Sequence, residues 1–581
     1  MTPFRVWAPR AESVSLEVGS DSHDMRSASQ GWWVAPVHAA AGDRYAYRLD
    51  GGDERPDPRS LSQPDGPHDR SAVVDLAAHH WTDGSWAGAP LQDAVIYELH
   101  LGTFTPDGTC DAAIERLDHL FQLGITMVEL MPVAAFPGDR GWGYDGVNPY
   151  AVHAAYGGAA ALQRLVDACH RKGIGVCLDV VYNHLGPSGN YLSEFGPYFT
   201  DRYSTPWGWA VNLDGPHSDE VRAYLIDNAR MWFRDFHLDA LRLDAVHALF
   251  DDRATTILEE LAVETDRLSD ELGRPLALIA ESDRNDPATV TRRAPSGHGG
   301  LGLHAQWADD VHHSLHVLLT GESQGYYADF AAGPSIVKTL STPFFHDGTW
   351  SSFRQRHHGR AINPATTRGW RFVASLQTHD QVGNRASGDR LSQLVSPGRL
   401  ACGAAILLTS PYVPMLFMGE EWGASTPWQY FTDHQDPELA RAVSQGRRDE
   451  FATHGWGDDV PDPQAPSTLA QSQLRWDEVE IGTHRELLAW YRTLIHLRHN
   501  VSDLREGTLG GAPADLCNGR LTVRRGRWTV VANLSNESFS QALAAGDAVH
   551  AGWSTYEGAS VVTLPPDSVM VVGPRDLGAT A

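Results

Sequence analysis

Positive charge is what this sequence lacks most. Lys and Arg number 46 against 73 Asp and Glu, a formal net charge of -27 over 581 residues. Nucleic acids and anionic membrane surfaces both demand clustered cations, for counterion release or attraction, so both are excluded as partners and a neutral substrate is expected. Lysine is almost missing, with only Lys172 and Lys338, a skew that carries no functional weight. Cysteine is also scarce. Cys110, Cys169, Cys177, Cys402 and Cys517 are scattered, odd in number and without metal-ligand spacing, which predicts buried free thiols in a reducing compartment rather than a disulfide framework. No apolar run reaches membrane-spanning length, and MTPFRVWAPRAESVSLEV has no basic leader followed by an apolar stretch; a soluble cytoplasmic protein is expected. Repeats, heptads and low-complexity tracts are absent as well.

Alternation is what the sequence has in plenty. From Phe4 to about Asp75, the segments FRVWAP, SVSLEV, GWWVAPV and RYAYRLD, separated by turn residues, predict a small β-sandwich. A Pro- and Asp-rich stretch, PDPRSLSQPDGPHDRSAVVD, crosses to the next unit, and the boundary is placed near residue 88. From Ala94 the rhythm becomes strand then helix. Eight strand candidates follow: AVIYELHLG, ITMVELMPV, IGVCLDVV, LDALRLD, PLALIAESD, GLHAQWADD, RFVASLQT and VPMLFMGEE. That number specifies a (β/α)8 barrel, spanning 89–504, better than a doubly wound sheet. Its first helix is read over DAAIERLDHLFQLG, with Ile114, Leu117, Leu120 and Phe121 on one face and Gly124 as its stop. DEVRAYLIDNARMWFRDF presents Val221, Leu225, Asn228 and Trp232 along one face, and ELLAWYRTLIHLRHN closes the barrel. Residues 505–581, with GRLTVRRG, WTVVANLS and SVMVVGP, predict a small antiparallel C-terminal β domain.

Four of these apolar runs end in acids or imidazoles: GVCLDVVYNH at His184, LDALRLDAVH around Asp244, ALIAESD around Glu281 and VASLQTHDQ around Asp380. A single acid at a strand end is commonly a turn former or helix cap. Four in order are harder to dismiss, because the C-terminal ends of barrel strands surround one mouth. Arg242 precedes Asp244 by two residues, so both point to the same side of a strand. Retaining glycosidases need a nucleophilic carboxylate and a proton-donating carboxyl about 5 to 5.5 Å apart, and Asp244 and Glu281, on adjacent strands, can meet that spacing. Arg242 would keep Asp244 ionised, while Glu281, once desolvated, would hold its proton and act as acid.

The four segments resemble the signature regions of the α-amylase superfamily, glycoside hydrolase family 13. The resemblance implies Asp244 as nucleophile, Glu281 as general acid/base and Asp380 on the ring hydroxyls, supported by Arg242. It makes His184 and His379 the histidines that bind the sugar in subsite -1, Tyr144 the platform beneath that sugar, and Asp179 a structural partner of Arg242. MPVAAFPGDRGWGYDGVNPYAVHAAYGG, HAQWADDVHHSLHVLLTGESQGYY, LQTHDQVGNR and PYVPMLFMGEEWG narrow the likeness to the maltooligosyltrehalose trehalohydrolases, and the N-terminal module is similar to the β-sandwich of that group and of its debranching and branching relatives. Cleavage of the α-1,4 bond next to the terminal trehalose unit of maltooligosyltrehalose is thereby implied, releasing trehalose and a maltooligosaccharide, with that substrate and related α-1,4-glucans as partners and functional pairing to a maltooligosyltrehalose synthase.

Secondary site candidates are His247, Gln381, Asp283 and Asp286, which either line the aglycone subsites or serve as turn and cap residues. Trp142, Trp207, Trp209, Trp307 and Trp422 either stack on sugar or pack the barrel rim. Asn183 lies where many amylases help bind calcium, but no metal and no cofactor are expected. The rival readings are a 1,4-α-glucan branching enzyme, in which a sugar hydroxyl replaces water, and a noncatalytic glycan-binding protein that would ordinarily have lost one of the acids.

Overall fold

The computed structural model describes residues 4–294, 299–331, 334–452, 460–557 and 560–575. Eight strands close into a parallel barrel: β1 Ile96–Leu99, β2 Met127–Leu130, β3 Gly175–Val180, β4 Ala240–Leu243, β5 Ala277–Ala280, β6 Ala305–Trp307, β7 Phe372–Ser375 and β8 Val413–Phe417, with β8 pairing back on β1. Every strand is covered on both faces, which is why these segments read as continuous apolar runs. Ile96, Met127, Cys177, Ala240, Ile279, Val373 and Met415 fill the barrel axis. Three acids interrupt that packing, Glu98 on β1, Glu129 on β2 and Asp179 on β3, all buried.

The surrounding helices are α1 Leu117–Leu123, α2 Gly158–Arg171, α3 Ser218–Asp235, α4 Ile257–Leu272, α5 Asp309–Thr320, α6 Pro397–Leu408 and α7 Gly482–Asn500. Between β5 and β6 the described residues contain only a single 3-10 turn, Pro287–Thr289, where strict alternation predicts a helix. The reading of the first helix is corrected at one point. Cys110–Ile114 and Leu117–Leu123 are separate helices, so the buried stripe of α1 is Leu117, Leu120 and Leu123, and Phe121 is 57% exposed. Gly124 does stop the helix, at φ 94, and a Cβ there would stand 2.7 Å from Ile495 Cγ2 on α7. On α3, Val221, Leu225, Asn228 and Trp232 are all buried.

Before the barrel, Phe4–Trp7, Arg26–Ser27 and Trp32–Ala35 form one antiparallel sheet, and Val14–Val18, Asp21–Asp24, Arg44–Leu49, Glu54–Arg55 and Ser71–Ala72 another. After it, a five-stranded antiparallel sheet runs in the order Ala514–Cys517, Arg520–Arg525, Trp528–Asn533, Ser568–Pro574 and Asp547–Trp553. All five cysteines are free thiols. Four are buried, but Cys517 is exposed, against the expectation of burial, because its position in Ala514–Cys517 alternates outward at the sheet edge. No helix among the described residues is long and apolar enough to cross a membrane.

Candidate active site

Strand register builds the site. Asp179 on β3 lies opposite Arg242 on β4, at one level of the barrel wall, and Arg242 is buried to 3% exposure. Its Nη1 donates to Asp179 Oδ2 at 2.8 Å and to Asp244 Oδ1 at 2.8 Å, while Nη2 is 3.8 Å from Glu281 Oε2. The guanidinium lies over the Trp307 ring, 4.3 Å from its centroid. One fixed cation from β4 therefore touches acids from β3 and the ends of β4 and β5.

The two acids beside it are held differently. Asp244 receives Asn183 Nδ2 on its other oxygen at 2.7 Å, so both oxygens accept hydrogen bonds. Glu281 takes the backbone N–H of Ala245 on one oxygen. Burial pushes Glu281 up to about 8, the Asp244 charge adding to the effect and Arg242 opposing it. Ala245 holds a left-handed backbone at φ 39, a conformation that costs a non-glycine residue about 1 kcal/mol or more and turns its N–H toward Glu281.

Asp380 follows β7 in the first turn of a short helix, His379–Gly383, capped by Thr378 with Gln381 as its reciprocal partner. Asn384 Nδ2 donates to Asp380 Oδ1 at 2.7 Å. His379 Nε2 is 2.8 Å from Tyr144 Oη, and Tyr144 Oη donates to Asp179 Oδ2 at 2.6 Å. His184 sits between Asn183 Oδ1 and the Tyr144 carbonyl, 3.1 Å from the latter. Burial holds its pKa below the usual histidine range. Trp207, on the hairpin Phe199–Thr205 with Gly208–Val211, lies flat on His184 with centroids 4.2 Å apart and is 49% exposed.

Asp244, Glu281, Asp380, Tyr144, His184 and His379 share one cavity of about 300 Å³, whose wall also includes Arg242, His247, Gln381, Trp142, Trp207 and Trp307. Of the secondary candidates, His247 faces this cavity with its pKa lowered by burial. Gln381 Oε1 is taken by Thr378 in the capping box, leaving its amide N–H groups to the cavity. Trp142 donates to the Gln429 carbonyl and stacks on Trp428. Asp283 is not part of the cavity wall; it pairs with Arg354 at 3.0 Å. Asp286 caps the turn Pro287–Thr289. Trp422 is fully buried, donating to Glu478, and packs the rim. Trp209 is exposed and outside the cavity wall.

Two residues at the site escape a reading of strand ends. Asp309, first residue of α5, lines the cavity and is pushed up to about 7 by burial and by Asp380; its signal was the acid pair closing HAQWADD. Glu98 accepts both the backbone N–H and Nδ1 of His379, and its signal was a lone acid inside an apolar strand. No three His, Cys, Asp or Glu side chains among the described residues are arranged to hold a metal ion; Asn183 gives its Nδ2 to Asp244 and turns its Oδ1 to His184.

Comparison with known proteins places this geometry. The Alpha amylase, catalytic domain family matches residues 78–215, and Carbohydrate-binding module 48 (Isoamylase N-terminal domain) matches residues 1–64. The chain is 53% identical over 544 residues to a Malto-oligosyltrehalose trehalohydrolase of Mycobacterium tuberculosis, covering 92% of this chain and 93% of the relative. With that of Arthrobacter ramosus the identity is 56% over 504 residues, covering 86% and 87%. A 1,4-alpha-glucan branching enzyme of Geobacillus stearothermophilus is 29% identical, covering 74% and 68%. Among solved structures, a putative alpha amylase from Salmonella typhimurium superposes with a TM-score of 0.90 at 36% identity, covering 98% of this chain and 97% of that one.

Proposed function

The chain belongs to the malto-oligosyltrehalose trehalohydrolases, glycoside hydrolases of the α-amylase superfamily that cut the α-1,4 bond next to the terminal trehalose unit of a maltooligosyltrehalose, and from that premise we propose how its residues divide the work. Asp244 is the nucleophile, Glu281 the general acid and base, and Asp380 the acid that binds ring hydroxyls. The observation that carries this reading is the unequal sharing of one guanidinium: Arg242 stands 2.8 Å from Asp244 and 3.8 Å from Glu281. Asp244 accepts the charge-assisted hydrogen bond, while Glu281, pushed up to about 8 by burial, holds a proton at neutral pH.

In the first step an Asp244 oxygen bonds to the anomeric carbon as that carbon's bond to the leaving oxygen breaks. The Glu281 proton passes to that oxygen, and trehalose departs. Glu281, now ionised, draws a proton from water, whose oxygen displaces Asp244 and restores the α configuration. Tyr144 and the edge of Trp307 form the floor, and His184 with Trp207 one wall. His247, Gln381 and Trp142 border the sugar, and Asp283 acts from outside the cavity, through Arg354. Residues 1–88, 89–504 and 505–581 are the three units, the first resembling a carbohydrate-binding module. The enzyme works in the cytoplasm, where a maltooligosyltrehalose synthase supplies its substrate.

The test is the product profile on maltotriosyltrehalose beside a plain maltooligosaccharide of equal length. Rapid trehalose release with α-maltotriose formed first, slow cleavage of the plain chain, and a loss of about 10⁴-fold in kcat for Asp244→Asn are expected. Equal attack on both substrates, or new α-1,6 branches, would replace the reading with a general amylase or a branching enzyme.

A further inference from the structure

We propose that Glu98 is a positioning residue that holds His379 as a doubly protonated imidazolium beside the Tyr144 platform. Each hydrogen along the chain of contacts has one place to go. Arg242 Nη1 shares one N–H between the two Asp179 oxygens, at 2.9 and 2.8 Å, and gives its other to Asp244; burial raises Asp179 to about 6 against the pull of Arg242, so near pH 7 it is mostly a carboxylate and the 2.6 Å contact from Tyr144 Oη spends the phenol's only proton. Tyr144 Oη must then accept from His379 Nε2, 2.8 Å away. On the other side of the ring, Nδ1 meets Glu98 Oε1, while Glu98 Oε2 accepts the His379 backbone N–H at 3.0 Å. In the ion pair we propose, Nδ1 donates to Glu98 Oε1 as well. Both ring nitrogens therefore carry hydrogen.

The charges around the ring agree with this placement. Burial alone would strip the proton, but Glu98, and then Asp380, outweigh burial and Arg242, so the pKa of His379 is raised. His100, two residues after Glu98, is pulled down to about 3 by burial and brings no competing cation. Glu129, beside Glu98 on β2, is driven far up by burial and by Glu98, so it stays neutral. Charge thus alternates along one chain of contacts, from Glu98 to His379, through Tyr144 to Asp179, Arg242 and Asp244. A neutral ring protonated only on Nδ1 would turn a lone pair toward Tyr144 Oη and release the phenol, whose ring stacks on His379 with centroids 5.2 Å apart.

This inference rests on the proposed role of Asp244, since it concerns what holds the platform in that site. The test is Glu98→Gln, which keeps the shape and removes the anion: with its oxygen on the His379 backbone N–H, its amide donates to Nδ1, so the ring is neutral, still donates from Nε2 to Tyr144 Oη, and loses its charge alone. On maltotriosyltrehalose near pH 7, kcat is expected to fall about 10²-fold with KM within about twofold. The ratio of variant to wild-type kcat/KM should climb as the pH falls toward about 5 and the ring regains its proton. Glu98→Asp, which keeps the charge, should retain the wild-type pH profile. An undiminished Glu98→Gln, or a loss identical at every pH, would overturn the proposal. Nitrogen NMR of the wild-type enzyme needs no active variant: both His379 ring nitrogens, assigned by their disappearance in His379→Asn, should remain protonated above the ordinary imidazole pKa of about 6.5, and a ring that loses its proton at or below it would sink the idea. If the wild type releases no trehalose, the catalytic reading fails while the spectrum still decides the charge of His379.

Discussion

Asp244 and Glu281 sit on neighbouring strand ends beside one guanidinium, yet Arg242 stands 2.8 Å from the first and 3.8 Å from the second. For Glu281 the consequence is a pH dependence with a definite sign. The group must be protonated to donate, so kcat/KM should fall as pH rises past about 8. Its folded pKa lies above its ordinary value of 4.5, so the folded state binds the proton more tightly than the unfolded chain does. Its contribution to stability is whole below about 4.5 and is lost as pH rises toward about 8. Glu281→Gln escapes that loss. Thermal unfolding should show the variant matching the wild type near pH 4.5 and gaining on it up to pH 8, while its activity collapses; a constant difference at all pH values would refute the assignment. The acids that end strands were legible because a carboxyl closing an apolar run is conspicuous. Glu98 was not, since 281 residues separate it from His379 and only closure of β8 onto β1 brings them together.

At the scale of elements, the helix His379–Gly383 shows how local chemistry aims a catalytic pair. Thr378 donates to Gln381 and accepts the backbone N–H of Asp380 at 3.2 Å, which fixes the direction in which both His379 and Asp380 leave β7. Thr378→Ala removes the cap and should cost about 1 kcal/mol in stability. Because the cap also orients the pair, kcat should drop in the same variant, by roughly tenfold. Calorimetry and steady-state trehalose release would check both; a stability loss with unchanged kcat would leave the cap a purely structural device. The capping signal THDQ was readable in sequence. The break at Glu115 and Arg116 that turns Phe121 outward was not, because apolar periodicity looks the same across one helix or two short ones.

At the scale of the whole molecule, the N-terminal sheets are welded to the barrel rather than tethered. Arg59 reaches Tyr150 Oη at 2.8 Å and Asp227 at 3.0 Å, the Tyr224 hydroxyl donates to the Pro58 carbonyl at 2.8 Å, and Trp7 packs edge-on against Tyr198. The crossing stretch is fastened too: Trp86 stacks on His170 and donates to Asp239 at 2.8 Å. The C-terminal domain is held by Arg399 and Ser396 on Asp567, at 2.9 and 2.7 Å. Deleting residues 1–88 would uncover Tyr150, Tyr198 and Tyr224 and strip the Trp86 indole from His170 and Asp239. The truncated chain should aggregate or unfold, as sedimentation and circular dichroism would show; a stable, active fragment would contradict the weld.

By itself the sequence determined the alternation that makes eight strands and two flanking β domains, and the acids at four strand ends, because periodicity and chain termination of apolar runs are local properties. Only the tertiary structure decided which acid keeps its proton, which tryptophans face the cavity and which are packed away, and that Glu98 stands behind His379. Those outcomes depend on desolvation and on distances between groups far apart in the chain, and neither exists until the barrel closes.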